Sequence, residues 1–269
     1  MEATRQFAVV TGASSGIGLE LAKQFAQNGF DLLVCAEDAG LAAAADEVRA
    51  LGARVDTVTA DLATPDGVDA LYARIQAARR PLDAIALNAG VGKGGAFVET
   101  SLEDELKLIQ LNVVSTVHLA KRVLPAMVAR GEGRVLITAS IAAQMPGAFS
   151  AVYNASKAFD LSFAEAIRNE LQETGVTVTA LMPGPTDTNF FHRAGMDDTK
   201  VGESPKADPA LVAKQGFDAL MAGEDHVVGG PLKTKLQSVV AEILPETLKA
   251  EQHRQMAEPG SGDGADADA

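Results

Sequence analysis

Seven short apolar runs, each separated from the next by residues of helical spacing, constrain this chain more than any single motif. Phe7 to Thr11, Asp31 to Ala36, Val55 to Thr59, Ala84 to Leu87, Arg134 to Ser140, Val176 to Leu181 and His226 to Val228 read as strands. They are continuous rather than alternating. A strand apolar on both faces belongs in a parallel sheet with helices on each side. Between the runs, Ile17, Leu21 and Phe25 keep helical spacing until Asn28-Gly29, and Leu41 to Leu51 reads as a helix closed by Gly52. Further helical stretches are expected at about 64–79, 102–130, 151–174 and 209–222. This alternation predicts an α/β fold, a doubly wound and mainly parallel sheet of about seven strands with helices on both faces.

Without repeat or linker, 1–258 is expected to form one domain, and 231–258 to be a helical extension of it. In that extension Leu236, Val239, Val240, Ile243 and Leu244 make an apolar stripe that Pro245 breaks. Such a helix packs on its own domain, caps a pocket or joins a neighbouring subunit. Residues 259–269 are only Gly, Ser, Pro, Asp and Ala, an acidic tail expected to be mobile.

Charge and cysteine content exclude several function classes. Lys and Arg total 23 against 36 Asp and Glu, a net charge of −13, which repels phosphate backbones and anionic lipid. Neither nucleic acid nor a membrane is an expected partner. The single cysteine, Cys35, forms no disulfide within the chain, and the four histidines have no metal-ligand spacing, so no metal is expected. No apolar run reaches the roughly 18 residues of a membrane span, and polar Met1 to Gln6 resembles no leader, so a cytoplasmic location is expected.

The chemistry begins at Thr11-Gly12-Ala13-Ser14-Ser15-Gly16-Ile17-Gly18, between the first strand and the first helix. Glycines there let backbone approach a pyrophosphate, and the helix N-terminus offers it unpaired N–H groups. A carboxylate about 20 residues further on should hold the adenosine ribose. Glu37 stands at that place with Asp38 beside it, and which of the two faces the ribose depends on a one-residue shift in the strand end. Two carboxylates would repel a 2′-phosphate, and no Arg or Lys is expected at hand to receive one, so NAD is expected over NADP. Tyr153 and Lys157 share a helix face at a spacing of four. An ammonium some 4–5 Å from a phenol favours phenolate by roughly 3–4 kcal/mol, which would bring the phenol toward neutrality. Ser140, at a strand end thirteen residues earlier, lies where open α/β sheets bind ligands.

These residues give the chain a clear resemblance to the short-chain dehydrogenase/reductase family, of the compact Rossmann-type kind, from about Phe7 to Val228. The motifs stand in the family's order: Thr11 to Gly18, Asp61-Leu62, Asn88-Ala89-Gly90, Asn112, Ser140, Tyr153 with Lys157, and Pro183-Gly184. The resemblance implies that Tyr153 is the general acid/base and that Ser140 holds the substrate oxygen. Lys157 would bind the nicotinamide ribose and tune Tyr153, and Asn112 would fix a relay water. Gly12, Ser14, Ser15, Gly16, Ile17 and Gly18 would carry the diphosphate, with Asp61 and Leu62 at the adenine. Asn88, Ala89 and Gly90 would border the ribose. Pro183, Gly184, Thr186 and Thr188 would cover the nicotinamide amide. Two departures stand out: Leu87 replaces a second asparagine, and Ser15 stands where NADP-using relatives often carry a basic residue.

A pocket edged by Val91, Ile141, Met145, Phe149, Phe190, Phe191 and Met196 suggests a hydrophobic or aromatic carbonyl or alcohol. These side chains could also pack the loop itself. His192 reads as a surface residue, Cys35 as a small buried hydrophobe, and Lys93 as solvated unless it meets an anionic substrate. The stripe Phe159, Phe163, Ile167 on the Tyr153 helix, together with the resemblance, leads us to expect a homodimer or homotetramer. The expected function is alcohol–ketone interconversion with NAD. The alternative is a dinucleotide-binding regulator without turnover, which has no need of Asn112, Ser140, Tyr153 and Lys157 together.

Overall fold

A computed structural model describes residues 5–262. Its strands are β1 (Gln6–Thr11), β2 (Phe30–Ala36), β3 (Val55–Thr59), β4 (Ala84–Leu87), β5 (Gly133–Thr138), β6 (Val176–Pro183) and β7 (His226–Gly229). All neighbours pair in parallel, in the order β3-β2-β1-β4-β5-β6-β7. The helices are α1 (Gly16–Gln27), α2 (Leu41–Arg49), α3 (Pro65–Ala77), α4 (Leu102–Ile109), α5 (Ser115–Arg130), α6 (Ala151–Leu171), α7 (Phe190–Arg193), α8 (Lys200–Glu203), α9 (Pro209–Ala222), α10 (Leu232–Ile243) and α11 (Glu246–Ala257). The expected doubly wound sheet is the observed one. Chain order reverses between β1 and β4, and a crevice opens at their carboxyl ends.

The continuous apolar runs are explained by two cores. Along β1, Ala8 and Val10 face one layer with Leu21, Phe25 and Phe217, whereas Phe7 and Val9 face the other with Leu71, Leu119 and Ile137. Leu87 extends the second core, as its replacement of a polar residue predicts. Edge strand β3 departs from the expectation, because Asp56, Thr57 and Thr59 are exposed. It has a neighbour on one side only, and just Val55 and Val58 are buried, one in each core.

Two element boundaries also differ. The helix expected over 102–130 is interrupted at Gln110–Val114 by a π-helical turn, which carries Asn112. Strand β5 ends at Thr138, so Ser140 sits beyond it as the N-cap of a 3₁₀ turn, Ile141–Gln144. The tail expected to be mobile is held at its start. Asp198 accepts from the amides of Gly260 and Gly262, and Ser261 Oγ accepts from Lys200 N. Residues 263–269, the rest of that tail, and Met1 to Thr4 lie outside the described residues.

The open end of β2 is tied down by charge. Asp31 is buried, takes Arg80 Nη1 at 2.9 Å and Arg5 Nε at 3.2 Å, and accepts from Arg54 N at 3.1 Å. Burial pushes its carboxyl up, but the hydrogen bonds from Arg80 and the Arg54 amide, with both guanidinium charges, outweigh it and hold the group below its ordinary 3.8. A depressed carboxyl contributes stability above its unfolded value that is lost as pH falls through the folded one. Asp31→Asn should therefore cost about 1–2 kcal/mol at neutral pH, and the difference from wild type should shrink on acidification below pH ~4 in urea titrations.

Candidate active site

The glycine-rich turn leaves β1 with backbone laid bare. Gly12 has φ +67°, and a Cβ there would stand 2.9 Å from Ala89 Cα. A Cβ at Gly18 would collide with the Gly12 carbonyl oxygen, so α1 can approach the turn only with glycine at that place. Opposite, Thr188 Cγ2 lies 2.8 Å from where a Gly16 side chain would begin. Its three glycines keep the backbone of the turn accessible from the cleft, and a diphosphate fits a cradle of this kind.

Thr11 closes the floor. Its hydroxyl accepts from Asn88 N at 2.9 Å and Ala89 N at 3.0 Å, while Asn88 Nδ2 donates back to Thr11 O at 3.1 Å. Thr138 Oγ1 donates to Asn88 Oδ1 at 3.1 Å. Asn88 therefore fastens the ends of β1, β4 and β5 together, a task its expected place at the ribose wall did not suggest.

A cleft of about 900 Å³ runs along these strand ends. It is lined by every expected dinucleotide residue from Gly12 to Thr188, including Glu37, Asp61, Leu62, Gly90, Pro183, Gly184 and Thr186. Ser140, Tyr153 and Lys157 line it together, and the Ser140 hydroxyl and the Lys157 ammonium both act on the Tyr153 phenol, while Ser140 Oγ donates to Pro183 O at 3.4 Å. Ser140 Oγ also accepts from Ala142 N at 3.1 Å. Lys157 Nζ is buried and donates to Thr138 O at 2.8 Å and Asp160 Oδ2 at 2.9 Å. Its third hydrogen is left for the space over Gly90, whose Cβ position is 3.5 Å from Lys157 Nζ and 3.2 Å from Asn112 Oδ1.

Asn112 is the one catalytic candidate that does not line the cleft. It is fully buried: Nδ2 donates to Val91 O and Ser156 Oγ, both at 3.0 Å, and Oδ1 accepts from Val91 N at 3.0 Å. Both amide hydrogens are thus engaged, and the π turn sets the side chain against the strand end. π turns are frequent at functional sites.

The electrostatics correct one expectation. Burial, the largest influence, pushes the Tyr153 phenol above its ordinary value. Lys157 and the Ser140 hydrogen bond pull it down, and Asp160 pushes it up again. The ammonium that was to acidify the phenol stands beside a buried carboxylate that cancels part of its field. Asp160 is itself raised by burial, against the pull of Lys157, and its Oδ1 has no hydrogen-bond partner among the described residues. Sequence reading missed Asp160 because a lone acid three residues after a lysine on a helix looks like an ordinary surface pair.

Other side chains were misplaced or unforeseen. Phe149, expected on the pocket edge, instead packs with Met196 and Ala257, with Arg254 over its ring and φ +61°. Val91, Ile141, Met145, Phe190, Phe191 and Met196 do line the cleft, with the Tyr153 and Phe190 rings 5.2 Å apart. The helical extension supplies Leu236, Leu244, His253 and Met256 to the same cleft, so it caps the pocket. His253 Nδ1 lies 2.8 Å from Ala148 O, and burial lowers its pKa. Lys93 is already paired with Asp104 at 2.7 Å, and exposed His192 with Asp197 at 2.7 Å. Burial pushes the Cys35 thiol up to about 12, which leaves it an unreactive part of the core.

Glu37 and Asp38 are both occupied. Asp38 takes Ser14 Oγ at 2.6 Å and Gly40 N at 2.9 Å, and Glu37 lies 3.6 Å from Lys107 Nζ. No basic residue was expected at this end, yet the fold brings Lys107 to Glu37 and Arg193 to Ser15.

The family model for short chain dehydrogenases matches residues 6–198. The chain belongs to the short-chain dehydrogenase/reductase family. Members use NAD(P), and the seven-stranded fold is the family's. A putative ketoacyl reductase of Streptomyces coelicolor is 36% identical over 186 residues, 68% of this chain and 71% of that one. The ketoacyl reductase HetN of Nostoc sp. is 30% identical over 256 residues, 91% of this chain and 87% of that one. Among solved structures, a short-chain dehydrogenase from Sphingobium yanoikuyae in complex with NADPH superposes with a TM-score of 0.78 at 29% identity, covering 89% of this chain and 96% of that one. This dehydrogenase/reductase is therefore an oxidoreductase with relatives of the ketoreductase type. Among its described residues no metal-binding cluster occurs and no helix is long and apolar enough to cross a membrane.

Removing the Asp160 carboxylate should ease ionisation of Tyr153. In Asp160→Asn, the pH midpoint of alcohol oxidation should move down relative to wild type, read from kcat/KM across pH. An unmoved midpoint would mean that Asp160 does not act on the phenol.

Proposed function

We propose that the protein interconverts a secondary alcohol and a ketone, preferably with NAD(H). The observation that carries this is that Ser140, Tyr153 and Lys157 line one cleft together with the glycine-rich turn. The nicotinamide coenzyme supplies or accepts the hydride at the substrate carbon. Tyr153 donates the phenolic proton to the carbonyl oxygen, and the alcohol oxygen returns it in oxidation. Ser140 holds that oxygen against the phenol. Lys157, anchored on Thr138 O and Asp160, would have one hydrogen left to share between the ribose hydroxyls and a water over Gly90. The space over Gly90, bordered by Lys157 Nζ and Asn112 Oδ1, is where we place the water that returns protons to the site. Phe190, Phe191, Met145, Met196 and Met256 give the pocket an apolar wall suited to a hydrophobic or aromatic substrate.

Glu37 and Asp38 line the far end of the cleft and support NAD(H), since a 2′-phosphate would meet two carboxylates there. The Sphingobium relative is in complex with NADPH, which makes the coenzyme comparison the informative one. Exposed Leu102, Leu106 and Ile109 on α4 and Phe159 on α6, stacked on Phe163, support assembly as a homodimer or homotetramer.

Tyr153→Phe should lower turnover of ketones at least about 10²-fold while leaving NADH affinity nearly unchanged. Undiminished turnover, followed at the nicotinamide absorbance, would end the assignment of Tyr153. Glu37→Arg should shift the ratio of kcat/KM for NADH over NADPH toward NADPH by about tenfold; an unmoved ratio would take the ribose role from Glu37.

A further inference from the structure

The glycine-rich turn has no basic residue of its own, and Ser15 stands before Gly16. The fold brings one there from 178 residues away: Arg193 Nη2 donates to Ser15 Oγ at 3.1 Å, and both residues line the cleft. Ser15 is the N-cap of α1, yet its hydroxyl caps no helix amide, and the first turn of α1 has no acidic side chain. Arg193 has no ion pair among the described residues. An uncompensated guanidinium and the unpaired amides of α1 therefore meet over one stretch of cleft. The segment that carries Arg193 is fixed from below. Gly94 N donates to Ala194 O at 2.8 Å, buried Ala194 anchors the end of α7, and Phe190 packs against Gly92 and the Tyr153 ring.

We propose that Arg193 is a dinucleotide-binding residue whose guanidinium takes phosphate oxygens of the coenzyme at the glycine-rich turn, supplying from the loop after β6 the charge that the turn lacks. The proposal rests on the oxidoreductase reading above. A guanidinium has five donors in a planar fork, and Ser15 uses one, so a bidentate grip on phosphate remains available. Because α7 also holds Phe190 beside Tyr153, coenzyme phosphate and the substrate-side wall are then fastened to the same four residues. The acceptor oxygens belong either to the diphosphate, present in NADH and NADPH alike, or to the 2′-phosphate of NADPH alone.

The test is binding without turnover. NADH and NADPH are titrated by nicotinamide fluorescence into wild type, Arg193→Ala and Arg193→Lys in the absence of substrate. Arg193→Ala should raise the NADPH Kd about tenfold, and the NADH Kd with it where the contact is on the diphosphate, with Arg193→Lys recovering part of the loss. An equal rise for NADPH places the contact on the diphosphate, and a rise confined to NADPH places it on the 2′-phosphate; either supports the proposal. Unchanged Kd values for both coenzymes overturn it, as does an effect limited to the KM of the ketone. A wild-type chain that binds neither coenzyme would overturn the oxidoreductase reading and this proposal with it, whereas binding that ignores position 193 would overturn this proposal alone.

Discussion

One hydroxyl governs the geometry of the site. Thr11 Oγ1 takes the amides of Asn88 and Ala89 just where β1 and β4 part, and Asn88 ties both to Thr138 at the end of β5. Strand ends in a parallel sheet leave unpaired amides and carbonyls, and burying them without partners would cost free energy at each one. Here the cost is met by side chains from three strands bonding one another. The crevice can then stay open above a rigid floor. The glycine turn, Ser140 and Lys157 all take their positions from that floor.

The buried pair at the base of α6 gives the site its electrostatic character. Lys157 is an ammonium held by a carbonyl and a carboxylate, away from solvent. Taking such charges out of water is expensive unless they are paired, and here each is the other's compensation. The same pairing limits how far the lysine can bias its neighbour Tyr153.

Much of the architecture was legible. Continuous apolar runs identified the central strands because each must be covered on two sides, and strict glycine spacing identified the turn because no side chain fits at Gly18. Edge strand β3 was less clear, since it gives only one valine to each core and exposes the residues between them. The π turn around Asn112 had no signature, because the extra residue per turn is fixed by the tertiary bond of Asn112 to Val91 rather than by local preference. Asp160 and Arg193 were illegible for a related reason. A charge is recognised as functional by what surrounds it, and their surroundings come from Thr138 and from a serine at the other end of the chain. Phe149 was misread because left-handed backbone turns its ring out of the cleft and under Arg254.

The cleft divides its charges in a way the composition conceals. Its three acidic lining residues, Glu37, Asp38 and Asp61, all follow the strand ends β2 and β3, whereas Arg193, Lys206 and Lys233 border the other half. A doubly anionic coenzyme approaching a chain of net charge −13 is repelled from afar and attracted only once inside that half. Dissolved salt then acts in opposite senses on the two stages of capture. It screens the repulsion during approach and loosens the grip after arrival, so encounter quickens as residence shortens.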